Sequence, residues 1–324
     1  MQVQLSKHAV LVSVNIINGG LLGERKDRQA SELVQSHYQI SDRRAKASKY
    51  LIDRTNKAVK RVVAASQRVR EVVYRYSLPW GDEKMRLVTT KTVDEFRSKL
   101  KVAIDDLENA WDDYVRAYPD LKDQSELELG ELFDPHQYPS HNEIKGLFKI
   151  NVNYWPFPET GHFVADMSSD AANEARQNME NEIEERLLAA TQDMVDRAQK
   201  VVAAFIEKVE SVEATFEIDV DHRKSGWHLS GVIRDSLIDN IKDTADLIDR
   251  MNLTQSPQVA KVVKDLKRLC VFQVERWRAA PASFRDQKPQ ALTTANEILT
   301  QLNAINLRDQ EINALMTEGG EYLD

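Results

Sequence analysis

The chain has 324 residues, 42% of them apolar and 30% charged, with a net charge of −8 and a single cysteine. Such a composition can bury a core, and its many mixed charges with few Gly and Pro favour helix. One cysteine excludes an internal disulfide, the mild acidity argues against a dedicated nucleic-acid binder, and no segment approaches the roughly 18 uninterrupted apolar residues of a membrane span.

The N-terminal run MQVQLSKHAVLVSVNII is broken by polar residues and has no clear small-residue cleavage site, so no secretory signal is expected. Within it, residues 8–17 alternate, with Val10, Val12, Val14 and Ile16 on one side, which predicts a strand ended by Gly19 and Gly20. A short helix is expected over 24–36. A long one over 41–76 is capped by Ser41 and carries the stripe Leu51, Ile52, Thr55, Val59, Val62, Ser66, Val69, Val73. Pro79 and Gly81 make a turn, and a further helix over 92–118 is stopped by Pro119. Residues 120–163 are rich in aromatics and Pro. Inside them, 149–155 alternates again and predicts a second strand. Two lone strands leave ladder groups unsatisfied, so the two are expected to pair.

The next segment, 167–220, has no Gly or Pro. Its apolar residues recur every eleven positions: Ala172, Ile183, Met194, Phe205, Phe216; Met179, Ala190, Val201, Val212; Leu187, Ala198, Val209. That repeat gives about 3.67 residues per turn, which keeps the stripe on one face of a nearly straight helix. Ile183, Leu187, Met194, Val201, Phe205 and Val212 are therefore the candidate seam, either with later helices or with another copy of the chain. Three more helices are expected over 230–252, 257–279 and 289–316, with Pro257 and Pro289 near helix starts and Cys270 buried as a small hydrophobe. The fold class expected is mainly α: an elongated helical bundle or coiled coil, 166–324, with a small α+β head, 1–165, holding a minor two-stranded sheet.

Residues 41–76 carry eleven Lys or Arg against three acids, while 166–221 carry fifteen acids against five bases. Complementary solvated faces explain this; so would phosphate binding through Lys57, Lys60 and Arg61, although aromatic stacking residues are scarce there until Tyr74 and Tyr76. Asp219, Asp221, His222 and His228 lie close in sequence, but their spacing matches no standard metal site, and His136 and His141 only flank a Pro-Ser turn. The acid pairs Asp105–Asp106, Asp112–Asp113 and Glu184–Glu185 fit polar helix faces. No phosphate-binding glycine loop, nucleophile elbow or paired-cysteine motif occurs. No catalytic residue, cofactor or metal is expected. The aromatic and prolyl clusters, Trp80 beside Pro79 and Tyr154, Trp155, Pro156, Phe157, Pro158, suit either core turns or a protein-binding patch.

The segments YRYSLPWGDEKMRLVTTKTVDEFRSKL, YVRAYPDL and LGELFDPHQYPSHNEIKGLFKINVNYWPFP, followed by a long helix, resemble an uncharacterised family from phages, plasmids and other bacterial mobile elements. The resemblance covers about Tyr74 to Glu210 and includes Arg86; where other members carry a tryptophan after the first strand, this chain has Asn18. Genes of that family often lie beside those for a MoxR-type AAA+ ATPase and a cobaltochelatase-like von Willebrand A (VWA) protein. The resemblance thus implies a third component of an ATPase–VWA system; together with the eleven-residue repeat it leads to the expectation of a non-enzymatic scaffold or adaptor in the cytoplasm of a bacterial host, with the ATPase or VWA protein as partner. Trp80, Arg86, Tyr154, Trp155 and Phe157 are the candidate contact residues, and self-association runs through the seam. A phage structural or assembly protein, a nucleic-acid binder using the basic helix, and an enzyme using the Asp219–His228 turn are the alternatives.

Overall fold

The run of β-branched residues after His8 forms strand β1, Ala9–Asn18, in the computed structural model, which describes residues 7–39, 45–81, 84–157, 169–217, 226–253 and 255–305. Gly19 and Gly20, at φ +63° and +70°, turn the chain after it. Strands β4, Leu78–Pro79, β5, Arg86–Thr89, and β6, Phe148–Pro156, join β1 in a four-stranded antiparallel sheet of order β4-β5-β1-β6. The expected pairing of the first strand with the strand near 149–155 is present, in a sheet twice as wide as expected.

The chain divides into two compact units, one of Met1–Leu11, Ser77–Thr92 and Pro156–Asp324, the other of Val12–Tyr76 and Val93–Trp155. In the second, the expected helix 24–36 begins as strand β2, Glu24–Asp27, and only then becomes helix α1, Arg28–His37. Asp27 sets that start, its Oδ1 accepting the Ala30 N–H at 2.8 Å. The basic helix is also shorter than expected. Ser41 lies outside the described residues, Ala47–Tyr50 is strand β3, paired antiparallel with β2, and helix α2 spans Lys57–Tyr76. Asn56 caps it, its Oδ1 accepting the Ala58 N–H at 2.9 Å. Helix α3, Val93–Leu129, which the short α4, His141–Gly146, follows, does not stop at Pro119. Proline removes one ladder bond, but Tyr118, Leu121 and Ser125 on either side of it are buried on the packed face, and that burial carries the helix through.

In the first unit, helix α5 spans Ser169–Glu210. Its neighbours are α6, Ser236–Met251, α7, Pro257–Leu269, and α9, Pro281–Asn303, while the short α8, Val274–Ala279, packs on α9. The single helix expected over 257–279 is thus two, and Pro289 sits inside a helix rather than at its start. After α5 the expected polar turn is a hairpin of β7, Ala214–Glu217, and β8, Gly226–Leu229, in which the Phe216 and Trp227 rings meet at 5.4 Å.

The elongated coiled coil with a two-stranded head is therefore corrected to a mixed α+β fold. Of the described residues 66% are helical, alongside one four-stranded sheet and two two-stranded sheets. The physical reason lies in α5. From Ala190 onward its buried residues, Ala190, Met194, Ala198, Val202, Phe205 and Val209, form one face, and α6, α7 and α9 of the same chain pack against α5. Val202 takes the core position expected of Val201, which is half-buried; Val212 is buried just beyond the helix, and Phe216 belongs to β7. Ile183 and Leu187 are half-buried. Among the described residues, no helix is long and apolar enough to cross a membrane.

Candidate interaction surface

The five candidate contact residues separate into a packed cluster and an exposed pair. Trp80 and Phe157 are buried, with ring centroids 4.8 Å apart, and the Arg186 guanidinium lies 5.6 Å over the Trp80 ring. Arg86 donates to Ser77 Oγ at 3.0 Å and to the Ser77 carbonyl at 2.9 Å, which also accepts from buried Arg197 at 2.7 Å. Trp80 and Phe157 are thus packed as core beside α5, while half-buried Arg86 shares the Ser77 carbonyl with Arg197 of α5. The β4–β5 hairpin needs Gly81. Its φ is +65°, and a Cβ there would stand 2.8 Å from Arg186 Cζ. Gly81→Ala is expected to destabilise the chain by roughly 1–2 kcal/mol, the cost of a left-handed alanine, seen as a lowered melting midpoint. An unchanged midpoint would contradict this turn.

Tyr154 and Trp155 stand apart from that cluster. Both lie on β6 and remain 44% and 51% exposed. The strand starts well anchored, its Phe148 ring stacked on Trp111 at 5.0 Å. Ile150 and Val152 are half-buried, and Lys149, Asn151 and Asn153 between them are exposed. Beyond Asn153 the alternation ends and both aromatics face solvent. Since β6 terminates the sheet order, no strand among the described residues pairs with its outer edge.

The other candidates disperse. Lys57, Lys60 and Arg61 are exposed on α2, but Arg61 pairs with Asp113 and Arg68 with Asp106, its Nε donating at 3.1 Å. The basic helix thus places part of its charge against the acids of α3, a partner that the charge contrast between 41–76 and 166–221 did not indicate. Asp219, Asp221 and His222 lie outside the described residues, and His228 sits on β8. Among the described residues, no group of three or more His, Cys, Asp or Glu is placed to hold a metal. Cys270 is half-buried, and desolvation raises its thiol pKa, which suppresses the nucleophilic thiolate.

Two features of the second unit were not read from sequence. A surface hollow of about 880 Å³ is lined by Arg25, Lys122, His136, Gln137 and Tyr138 among others. Beside it runs a tyrosine layer. The Tyr118 hydroxyl donates to the Pro139 carbonyl at 2.9 Å, and that of Tyr138 to the Leu51 carbonyl at 2.7 Å. Burial pushes the Tyr118 pKa up to about 12 and raises those of Tyr114 and Tyr138. The Tyr118 and Tyr138 hydroxyls act as fixed donors, whereas that of Tyr114 is buried with no hydrogen-bond partner among the described residues. The spacing Tyr114–Tyr118 on one helix face is the sequence signal that could have flagged the layer.

No family model matches the chain, and no curated protein or solved structure matches it.

Proposed function

We propose that the chain is a non-enzymatic adaptor of a bacterial mobile element that works by protein–protein contact in the host cytoplasm, with a MoxR-type AAA+ ATPase or VWA protein as its partner. The observation that supports contact as the mode of action is the Tyr154–Trp155 pair, half-exposed on a strand whose outer edge pairs with no other strand among the described residues. Large aromatics left in water lose little rotamer freedom on binding and dominate the energetics of protein interfaces. The identity of the partner rests on the family resemblance.

Titration calorimetry of the purified chain with the proposed partners, a MoxR-type ATPase and a VWA protein, with and without ATP, tests the proposal. A complex with at least one of them is expected, and Tyr154→Ser with Trp155→Ser weakens it by about tenfold or more, the scale of a lost aromatic anchor. Absence of a complex in either nucleotide state overturns the adaptor reading.

A further inference from the structure

An open sheet edge presents a row of N–H and C=O groups ready to pair with another strand, and proteins blunt such edges with short strands, bulges, charges or proline. β6 has nine residues and carries these devices only toward its ends, in Lys149 and Pro156. From Ile150 to Trp155 it has no charge, proline or glycine. The sequence of this open strand is complementary to itself.

We infer that the outer edge of β6 pairs antiparallel with β6 of a second copy of this chain, about a two-fold axis through Val152. The inference rests on reading this edge as an interaction surface, and it names the occupant. Full overlap of Phe148–Pro156 with its symmetry mate requires that axis. Ile150 then opposes Tyr154 of the second copy, Asn151 opposes Asn153, and Lys149 opposes Trp155. Directly opposed residues of an antiparallel pair share a face of the sheet. The row Phe148, Ile150, Val152, Tyr154 therefore continues across the axis as an apolar row. On the other face the asparagines can exchange side-chain hydrogen bonds, and each Lys149 ammonium meets an indole, a favourable cation–π partner. Lys149 is the only charged residue of the strand, and this register sends its two copies to opposite ends of the pairing, so no like charges face each other. A two-fold contact of this kind uses one patch twice, the commonest design of homodimers. Strand pairing covers the backbone edge and leaves the sheet faces open, so the ATPase or VWA protein would meet a dimer on the faces that carry the Tyr154 and Trp155 rings.

Sedimentation velocity of the full chain over a concentration series tests this, up to roughly 100 μM, a range that reaches weak interfaces. The wild type is expected to dimerise reversibly. Trp155→Lys places a lysine opposite each Lys149 and raises the dissociation constant by about tenfold or more, since opposed like charges destabilise a strand pair. Adding Lys149→Glu to that variant gives Glu–Lys pairs at both ends and restores the dimer, a rescue specific to the Val152 register. Circular dichroism checks that the variants, altered only at exposed positions, remain folded. A monomeric wild type, a dimer indifferent to Trp155→Lys, or failure of the rescue overturns the inference. Partner titrations on the same variants separate the two readings. Partner binding without a dimer removes only this inference, and a dimer that binds neither partner removes only the adaptor reading.

Discussion

Replacing Phe205 with alanine is expected to lower stability by about 3–5 kcal/mol, the range for deleting a buried aromatic side chain. Phe205 has no exposed surface, lies on the packed face of α5, and its ring is 6.4 Å from that of Phe272. Helices α6, α7 and α9 pack against α5, so the deleted ring leaves a cavity that surrounding helices cannot fully close. Val201→Ala is the matched control. Its side chain is half-buried, and the loss should stay near or below about 1 kcal/mol. Urea unfolding at several protein concentrations measures both. A small Phe205 effect, or one that depends steeply on concentration, would mean that the stripe of α5 is covered by another molecule instead of by this chain.

Asp27→Ala is the second large loss expected, about 3 kcal/mol or more, because it removes a helix cap and leaves a buried cation without its counter-charge. The side chains of Asp27 and Lys49 are only 6% and 8% exposed, with Oδ2 and Nζ 2.8 Å apart. The other carboxylate oxygen caps α1 through Ala30. Lys49 also donates to the Leu132 carbonyl, so the pair ties β2 and β3 to the 3-10 turn, Gly130–Leu132, that follows α3. Asp27→Asn keeps a capping oxygen and should cost less. The acid dependence has a definite sign. The Ala30 N–H, and then Lys49, hold the Asp27 carboxyl below its ordinary value of 3.8. Its contribution is thus complete at neutral pH, begins to decline near 3.8, and is lost as pH falls through the lowered value. Urea unfolding at pH 7 and pH 3 should show the stability gap between wild type and Asp27→Ala narrowing in acid. A gap that stays constant would contradict the assigned charge state.

Both residues show what periodicity could and could not reveal. Phe205 was legible as core, because an apolar face repeats along a helix whatever covers it. The covering helices were not legible, since an eleven-residue spacing suits a bundle and a coiled coil equally. Val201 illustrates the finer limit, as the face drifts enough that Val202 takes the core position. Asp27 and Lys49 were hidden for a different reason. They are charged, and their strands pair across the nineteen residues 28–46, so local pattern favoured helix for both segments. Pro119 misled in the opposite sense: a local stop signal was overridden by buried neighbours on both sides. At the candidate surface, Trp80, Phe157, Tyr154 and Trp155 looked alike in sequence. Only their tertiary contacts divide them, because Trp80 and Phe157 cover each other while β6 carries Tyr154 and Trp155 into solvent at the edge of a sheet.

The open edge of β6 is the centre of the functional proposal, and hydrogen–deuterium exchange over Phe148–Pro156 tests it most directly. Exchange would be followed in dilute chain, in concentrated chain, and after addition of the proposed partner, a MoxR-type ATPase or a VWA protein. The predicted result is slowed exchange at the alternate amides that point away from β1, on concentration or on adding the partner, while amides bonded to β1 stay protected throughout. Exchange across Phe148–Pro156 that is unchanged in every mixture would contradict a docking role for this edge.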